Sequence, residues 1–327
     1  MINIKDCIIK NKPIENPIKL TANILFSGIG AQETGFRNSG LFDIDIKCTA
    51  EIDKDAVVSY AAMHCGLTNQ MIVTYDKYPS REQMATELSN KRLGYIPEKD
   101  KPYDWNKLIK RKALDLEKYW LADKLSSNLG DIKQIAKLPK ADFWTISSPC
   151  QDISVAGKMK GLNPDDKTRS SLLWENIRLL KVAKEQNELP KYIMFENVKN
   201  LVGKKFINSF NDLISLLDEL GFNTYWQVLN GKDCGIPQNR ERVFAVSIRK
   251  DIDTGKITFP KPFDNGVRLK DILDDNVDEK YYVNTQKARE LIDELIASGK
   301  LDKEYSNTVR TGGRGSIDRH QWDMVEM

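Results

Sequence analysis

The chain has 327 residues, 40% of them hydrophobic and 30% charged, with a formal net charge of +3 at pH 7 and a pI near 8.4. That length supports one large core and part of a second domain, whereas so small a net charge excludes a whole-molecule electrostatic grip on nucleic acid. The five cysteines, Cys7, Cys48, Cys65, Cys150 and Cys234, form no C-x-x-C pair and are joined by only two histidines, His64 and His320, which excludes a zinc site of the usual spacing.

In chain order, Asn23-Ile24-Leu25-Phe26 reads as a strand that breaks into Ser27-Gly28-Ile29-Gly30-Ala31, with a helix starting near Gln32. Such a glycine turn lets a ligand approach the backbone closely, and tight strand-to-helix turns also occur without any ligand. The next strand, from Ile44 to Ala50, ends in Glu51, 23 residues after Gly28. A carboxylate at about that distance is what a ribose diol needs as acceptor. A helix is predicted near 107–126, with Leu108, Leu114, Leu121 and Leu125 on one stripe beside Trp120, and this pattern suits a packing element better than a DNA reader. The basic runs Lys107 to Lys112 and Lys204-Lys205 suit either phosphate contact or a solvated face.

Asp142 to Ile146 reads as a short apolar strand leading to Ser147-Ser148-Pro149-Cys150-Gln151-Asp152-Ile153-Ser154. Pro149 blocks a helical continuation, so Cys150 is presented at a strand end. A nucleophile belongs there, although free cysteine is also among the most buried and inert residue types. A further strand, Tyr192-Ile193-Met194-Phe195, ends directly in Glu196-Asn197-Val198. Finally, Gly235-Ile236-Pro237-Gln238-Asn239-Arg240-Glu241-Arg242 leads into the strand Val243 to Ile248, and the alternation places Arg240 and Arg242 on one face.

Strands near 23–26, 44–50, 142–147, 191–196, 224–229 and 243–248 alternate with helices near 31–38, 53–64, 171–186 and 207–220. This alternation predicts an α/β fold: a parallel-rich sheet with helices on both faces. The last two strands, joined by a non-helical loop, are expected to form an antiparallel pair at one edge.

Together and in this order, the blocks resemble the DNA cytosine-5 methyltransferase family over roughly residues 20–275. Phe26-Ser27-Gly28-Ile29-Gly30 looks like the family's cofactor loop, Glu51 its ribose-binding acid and Gly130-Asp131-Ile132 its adenine contact. Pro149-Cys150-Gln151 looks like its nucleophile motif, Glu196-Asn197-Val198 its acid motif, and Gln238-x-Arg240-x-Arg242 its arginine motif. The long insert between Glu51 and Asp131 is similar to that of bacterial CG-specific members.

The resemblance implies a Rossmann-like, S-adenosylmethionine-dependent methyltransferase sheet that transfers a methyl group to C5 of cytosine in DNA, in a restriction-modification or phage modification system. It implies that Cys150 adds to C6 of a flipped base, that Glu196 serves N3 and the exocyclic amine, and that Arg242, with Arg240 beside it, balances charge at O2. The cofactor would meet Phe26, Gly28, Ile29, Gly30, Glu51, Ile52, Asp131, Ile132, Pro149 and Leu172. Double-stranded DNA would meet Gln151, Ser154, Lys158, Arg169, Asn197 and Gln238. No metal is expected.

The expected organisation is an N-terminal segment 1–22, a catalytic domain 23–265 with a helical insert at about 68–128, and the start of a target-recognition region at 266–327. The family's long recognition domain and its closing Gly-Asn-Ser segment do not occur in the sequence, so the second domain is expected to be incomplete. A second polypeptide supplying the remainder is a possible partner, and the tail Thr308 to Ser316, rich in Gly and Arg, suits backbone approach to phosphates. Two other readings stay open: a subunit that only binds cofactor or DNA, and a tRNA cytosine-5 methyltransferase. Without a charged-then-apolar leader or an 18-residue apolar run, a reduced, cytoplasmic chain outside the membrane is expected.

Overall fold

The structure, a computed structural model, describes residues 14–97, 100–147, 149, 172–274, 276–281, 285–298 and 304–307. The described residues form a six-stranded sheet in the order β2-β1-β3-β4-β7-β5, where β1 is Ile18–Leu25, β2 Phe42–Ala50, β3 Phe143–Ile146, β4 Tyr192–Val198, β5 Phe222–Asn230 and β7 Glu241–Arg249. β1 pairs in parallel with both β2 and β3, and β3 in parallel with β4. The parallel part is the buried part: every residue of β3 is buried, as is most of β1. β7 lies between β4 and β5, so the last two long strands are neighbours with β5 at the edge.

Leu20, Ala22, Ile24, Ile44 and Phe143 make one apolar cluster of this sheet, covered by Phe36 of helix α1 (Ala31–Ser39). The period-two spacing of the β1 residues puts them all on that face. On α7 (Leu173–Glu185), Leu173, Ile177 and Leu180 are buried, and α8 (Ile207–Leu220) packs beside it with Phe210, Leu213 and Leu217 buried. Gly221, at φ 104, ends α8 in the left-handed region that favours glycine.

A second cluster belongs to the insert. Helix α2 (Lys54–His64), capped by Asp53, joins α3 (Asn69–Thr74), α4 (Arg81–Asn90, with a Ser80–Gln83 capping box), α5 (Asn106–Ile109) and α6 (Asp115–Leu125) around Leu88, Trp105, Leu116 and Leu121. Here the expected single helix over 107–126 is corrected to two. The Arg81 guanidinium takes the carbonyls of Ile109 (3.0 Å), Arg111 and Ala113 (2.9 Å), oxygens that a continuous helix would use internally. Leu108 and Leu121 keep their buried places, whereas Leu114, at the break, is exposed.

By internal contact the chain divides into two units, one of residues 14–226 and 243–257, the other of 227–242 and the described residues from 258 onward. In the latter, Gly231 N–H donates to the Arg240 carbonyl (3.0 Å), and β6 (Gln238–Asn239) pairs in parallel with β8 (Ser306–Asn307). Arg268 in that unit binds Asp264 (2.7 Å) and Glu304 (3.3 Å), and α9 (Gln286–Ala297) is capped by Thr285. Among the described residues no helix is long and apolar enough to cross a membrane.

Candidate cofactor and catalytic site

Three chain segments converge at the carboxyl ends of β1 and β2. Past Leu25 the backbone turns through Phe26 (φ 53), Gly28 (φ 53) and Gly30 (φ 87). Positive φ at Phe26 is uncommon for a side chain of its size, and it takes the chain out of the extended strand conformation. The two glycines serve different ends. A Cβ on Gly28 would meet nothing within 4 Å, so open space faces that Cα; a Cβ on Gly30 would lie 2.2 Å from His64 Nε2, so there the helix α2 side chain needs the room. His64 Nε2 in turn sits 3.1 Å from the Ile29 carbonyl, holding the turn, while the Ile29 side chain is exposed.

Glu51, one residue past β2, closes this turn. Its Oε2 accepts from Gly28 N–H (2.9 Å) and its Oε1 from Ile52 and Asp53 N–H (both 2.8 Å). Burial pushes its carboxyl above the usual range, and the three amide donors pull against that. A carboxylate has about four lone-pair sites, so with three amides bound acceptor capacity remains on Oε2 for a hydroxyl.

Asp131 follows the insert. Gly130 N–H and Glu51 N–H both donate to the Asn128 side-chain oxygen (3.2 and 2.9 Å), while Asn128 Nδ2 donates to the Glu51 carbonyl (3.1 Å). One buried amide thus fastens both acid-bearing loops. Asp131 is itself buried, with Oδ1 accepting from Lys133 N–H (3.0 Å) and Oδ2 paired with Arg92 (3.1 Å). Ile132 is buried, and Arg178 of α7 holds its carbonyl (3.0 Å) and that of Ile135 (2.8 Å). Neither Asn128 nor Arg92 was predicted from sequence. Their partners lie far along the chain, Asn128 being 77 residues from Glu51, and no motif marks them.

On the catalytic side, the Ser147 carbonyl past β3 accepts from Asn176 of α7 (3.3 Å), and Leu172 sits at the start of that helix. Pro149 is half-buried. Cys150, Gln151, Ser154, Lys158 and Arg169 lie outside the described residues. The thiols that are described do not suit a nucleophile: burial pushes Cys48 up to about 12, and burial likewise raises Cys65 and Cys234. Glu196 is half-buried on β4 between buried Phe195 and Asn197, and Asn197 turns its oxygen to Val198 N–H (2.8 Å).

Gln238, Arg240 and Arg242 belong to the other unit. The Asn230 side chain accepts from Arg240 N–H (2.9 Å), and Arg242 Nη1 donates to the Glu241 carbonyl (2.8 Å). Arg240 is exposed and Arg242 half-buried.

A parallel sheet whose strands end in a glycine turn with open space before it, flanked by two buried or half-buried carboxylates, has the donor and acceptor set of a nucleoside-bearing cofactor site, as in S-adenosylmethionine-dependent methyltransferases. Comparison with known proteins narrows the class. The sequence profile of the C-5 cytosine-specific DNA methylase family matches residues 105–325. The type II methyltransferase M2.ScrFI of Lactococcus lactis subsp. cremoris is 39% identical over 289 residues, covering 86% of this chain and 74% of its own. The orphan methyltransferase M.SssI of Spiroplasma monobiae is 34% identical over 277 residues, covering 83% and 69%. A solved structure, the Entamoeba histolytica methyltransferase EhMeth, shares the fold with a TM-score of 0.50 at 14% identity, over 90% of this chain and 71% of that one. The chain belongs to the C-5 cytosine-specific DNA methylase family, and its methyl donor is S-adenosylmethionine.

Proposed function

We propose that the chain methylates C5 of cytosine in double-stranded DNA within a restriction-modification or phage modification system, working in the cytoplasm alongside that DNA. The observation that carries the reading is the Gly28–Glu51 closure: a turn with open space before one glycine, held by a carboxylate at the adjoining strand end. Phe26, Gly28, Ile29, Gly30, Glu51, Ile52, Asp131, Ile132, Pro149 and Leu172 would hold the cofactor, with Glu51 toward the ribose and Asp131 toward the adenine. Bound there, the cofactor supplies an electrophilic methyl group.

The protein's part is to make cytosine C5 nucleophilic. Cys150 would add as thiolate to C6, forming an S–C6 bond and moving the ring's electron pair toward C5, while Glu196 keeps a proton at N3 and Arg242, beside Arg240, balances charge at O2. Once C5 is methylated, loss of its proton and expulsion of the thiolate restore the ring. Gln151, Ser154, Lys158, Arg169, Asn197 and Gln238 would meet the DNA around the extruded base.

The test is a duplex carrying 5-fluorocytosine, whose C5 substituent cannot leave as a proton, so the adduct persists. With S-adenosylmethionine present, a slow band on a denaturing gel is expected from the wild type and none from Cys150→Ala. A band lost instead in Cys48→Ala would reassign the nucleophile. Transfer to transcribed tRNA and not to DNA would replace the DNA reading.

A further inference from the structure

The turn that follows α4 lies against both acid-bearing loops of the cofactor site. Its Lys91 carbonyl accepts from Asp131 N–H (2.9 Å), and its Gly94 N–H donates to the Ile52 carbonyl (2.6 Å). A Cβ on Gly130 would lie 2.3 Å from the Lys91 carbonyl oxygen, so the two backbones pass in direct contact. Lys91 Nζ reaches inward to Asp123 Oδ2 (2.5 Å) and the Asn128 carbonyl (2.6 Å), which ties the turn to the amide that clamps Glu51 and Gly130. The side chain that this turn presents to the adenine acid is Arg92.

Arg92 holds φ at 52, uncommon for arginine, and its guanidinium lies 3.8 Å from the Tyr95 ring centroid and 3.1 Å from Asp131 Oδ2. Asp131 is therefore bracketed, Arg92 on one oxygen and Lys133 N–H on the other, and it is buried where Arg92 is partly open. With one oxygen held by Lys133 N–H and the other by the Arg92 guanidinium, the carboxylate is fixed in a single orientation. Two of its acceptor sites are used, which leaves others for an amine.

We infer that Arg92, set by its stack on Tyr95, is the positioning residue that makes the site selective for a 6-amino purine over a 6-oxo purine. The inference rests on the reading of Asp131 as the adenine contact. An Asp131 carboxylate held in that orientation accepts from an exocyclic amine and repels a carbonyl oxygen placed at the same point. Without Arg92 only the Lys133 N–H still holds the acid, so its second oxygen can turn away and the discrimination falls.

Isothermal calorimetry of the full chain with S-adenosylhomocysteine and S-inosylhomocysteine tests this on binding alone. The wild type should prefer the adenosyl ligand, and Arg92→Gln should weaken that ligand by about ten-fold, the worth of one charge-assisted hydrogen bond, while leaving the inosyl ligand within about two-fold. Arg92→Lys should recover part of the preference. Should Arg92→Gln fail to fold by circular dichroism, Tyr95→Leu, which removes the stack together with the hydroxyl's bond to Asp100 and leaves Arg92 in place, should lower the same ratio.

Equal loss for both ligands, in whichever variant folds, would reduce Arg92 to a wall of the pocket and overturn the inference. A wild type that prefers the adenosyl ligand, with Asp131→Asn retaining the full preference, would instead overturn the reading of Asp131 and the inference with it. The two failures are thus distinguishable.

Discussion

At Glu51 one side chain answers three backbone amides before any ligand is considered. Glu51→Ala therefore removes the closure of the Gly28 turn and, with it, the proposed ribose acceptor. Calorimetry with S-adenosylmethionine should show a loss of about 1.5–3 kcal/mol, as expected for charge-assisted bonds, and an unchanged affinity would remove Glu51 from the site. Cys48 makes a second case at this scale. Buried at 1% exposure with its thiol donating to Asn23 Oδ1 (3.3 Å) and pushed up to about 12, it should resist alkylation in the native protein at pH 8 and react only on unfolding. Rapid native labelling at Cys48, located by mass spectrometry, would contradict that. Glu51 was legible in the sequence because a strand end and a fixed offset from a glycine turn carry chemical meaning. The Asn23–Cys48 contact was not, since it depends on which strands become neighbours.

The same distinction holds for elements. The long strands and the helices over 31–39, 54–64, 173–185 and 207–220 follow from period and punctuation, because their apolar residues recur at the spacing of the element, whether the buried face meets the sheet or, for 54–64, the insert cluster. The insert helices do not follow. Asn69–Thr74 is too short to show a period, and Arg81–Asn90 is mostly polar, its Met84, Ala85 and Leu88 forming a narrow stripe within it. The helix break near Lys110 also came from outside the segment, through Arg81. Yet the insert fixes the candidate site, since Asn128 joins its end to both acid loops. Asn128→Ala leaves two amide donors and a carbonyl without that partner in a buried place. It should cost about 2–4 kcal/mol in urea denaturation and weaken S-adenosylmethionine binding as well; a stability loss with unaltered affinity would separate the insert from the site.

At the scale of the whole molecule, carboxylates of opposite behaviour shape stability against pH. Asp142 joins three strands: its carboxylate accepts from Lys191 (2.9 Å) before β4 and from the Thr21 hydroxyl (2.8 Å) and N–H (3.2 Å) on β1, and it directly precedes β3. The Lys191 bond, with the Thr21 bonds assisting against a smaller opposing effect of burial, holds its carboxyl below the usual range. Its folded state thus binds a proton less readily than the unfolded chain, so its contribution is present above the unfolded value and is lost as pH falls through the lower, folded one. Glu51 runs the other way. Burial raises it, the folded state holds the proton more tightly, and stability declines as pH climbs from the unfolded value through the folded one. Between them these two groups add stability as pH rises toward about 4 and withdraw it above about 4.5 in the cofactor-free protein. Asp142→Asn should lower the melting temperature near pH 7 and weaken its fall below about pH 4, and Glu51→Gln should flatten the decline above about pH 4.5. Melting curves from pH 3 to 8 for the three proteins decide it: a wild-type curve that rises steadily to pH 8, unaltered by Glu51→Gln, would mean that the amide donors at the Gly28 turn outweigh burial and that Glu51 is held ionised throughout.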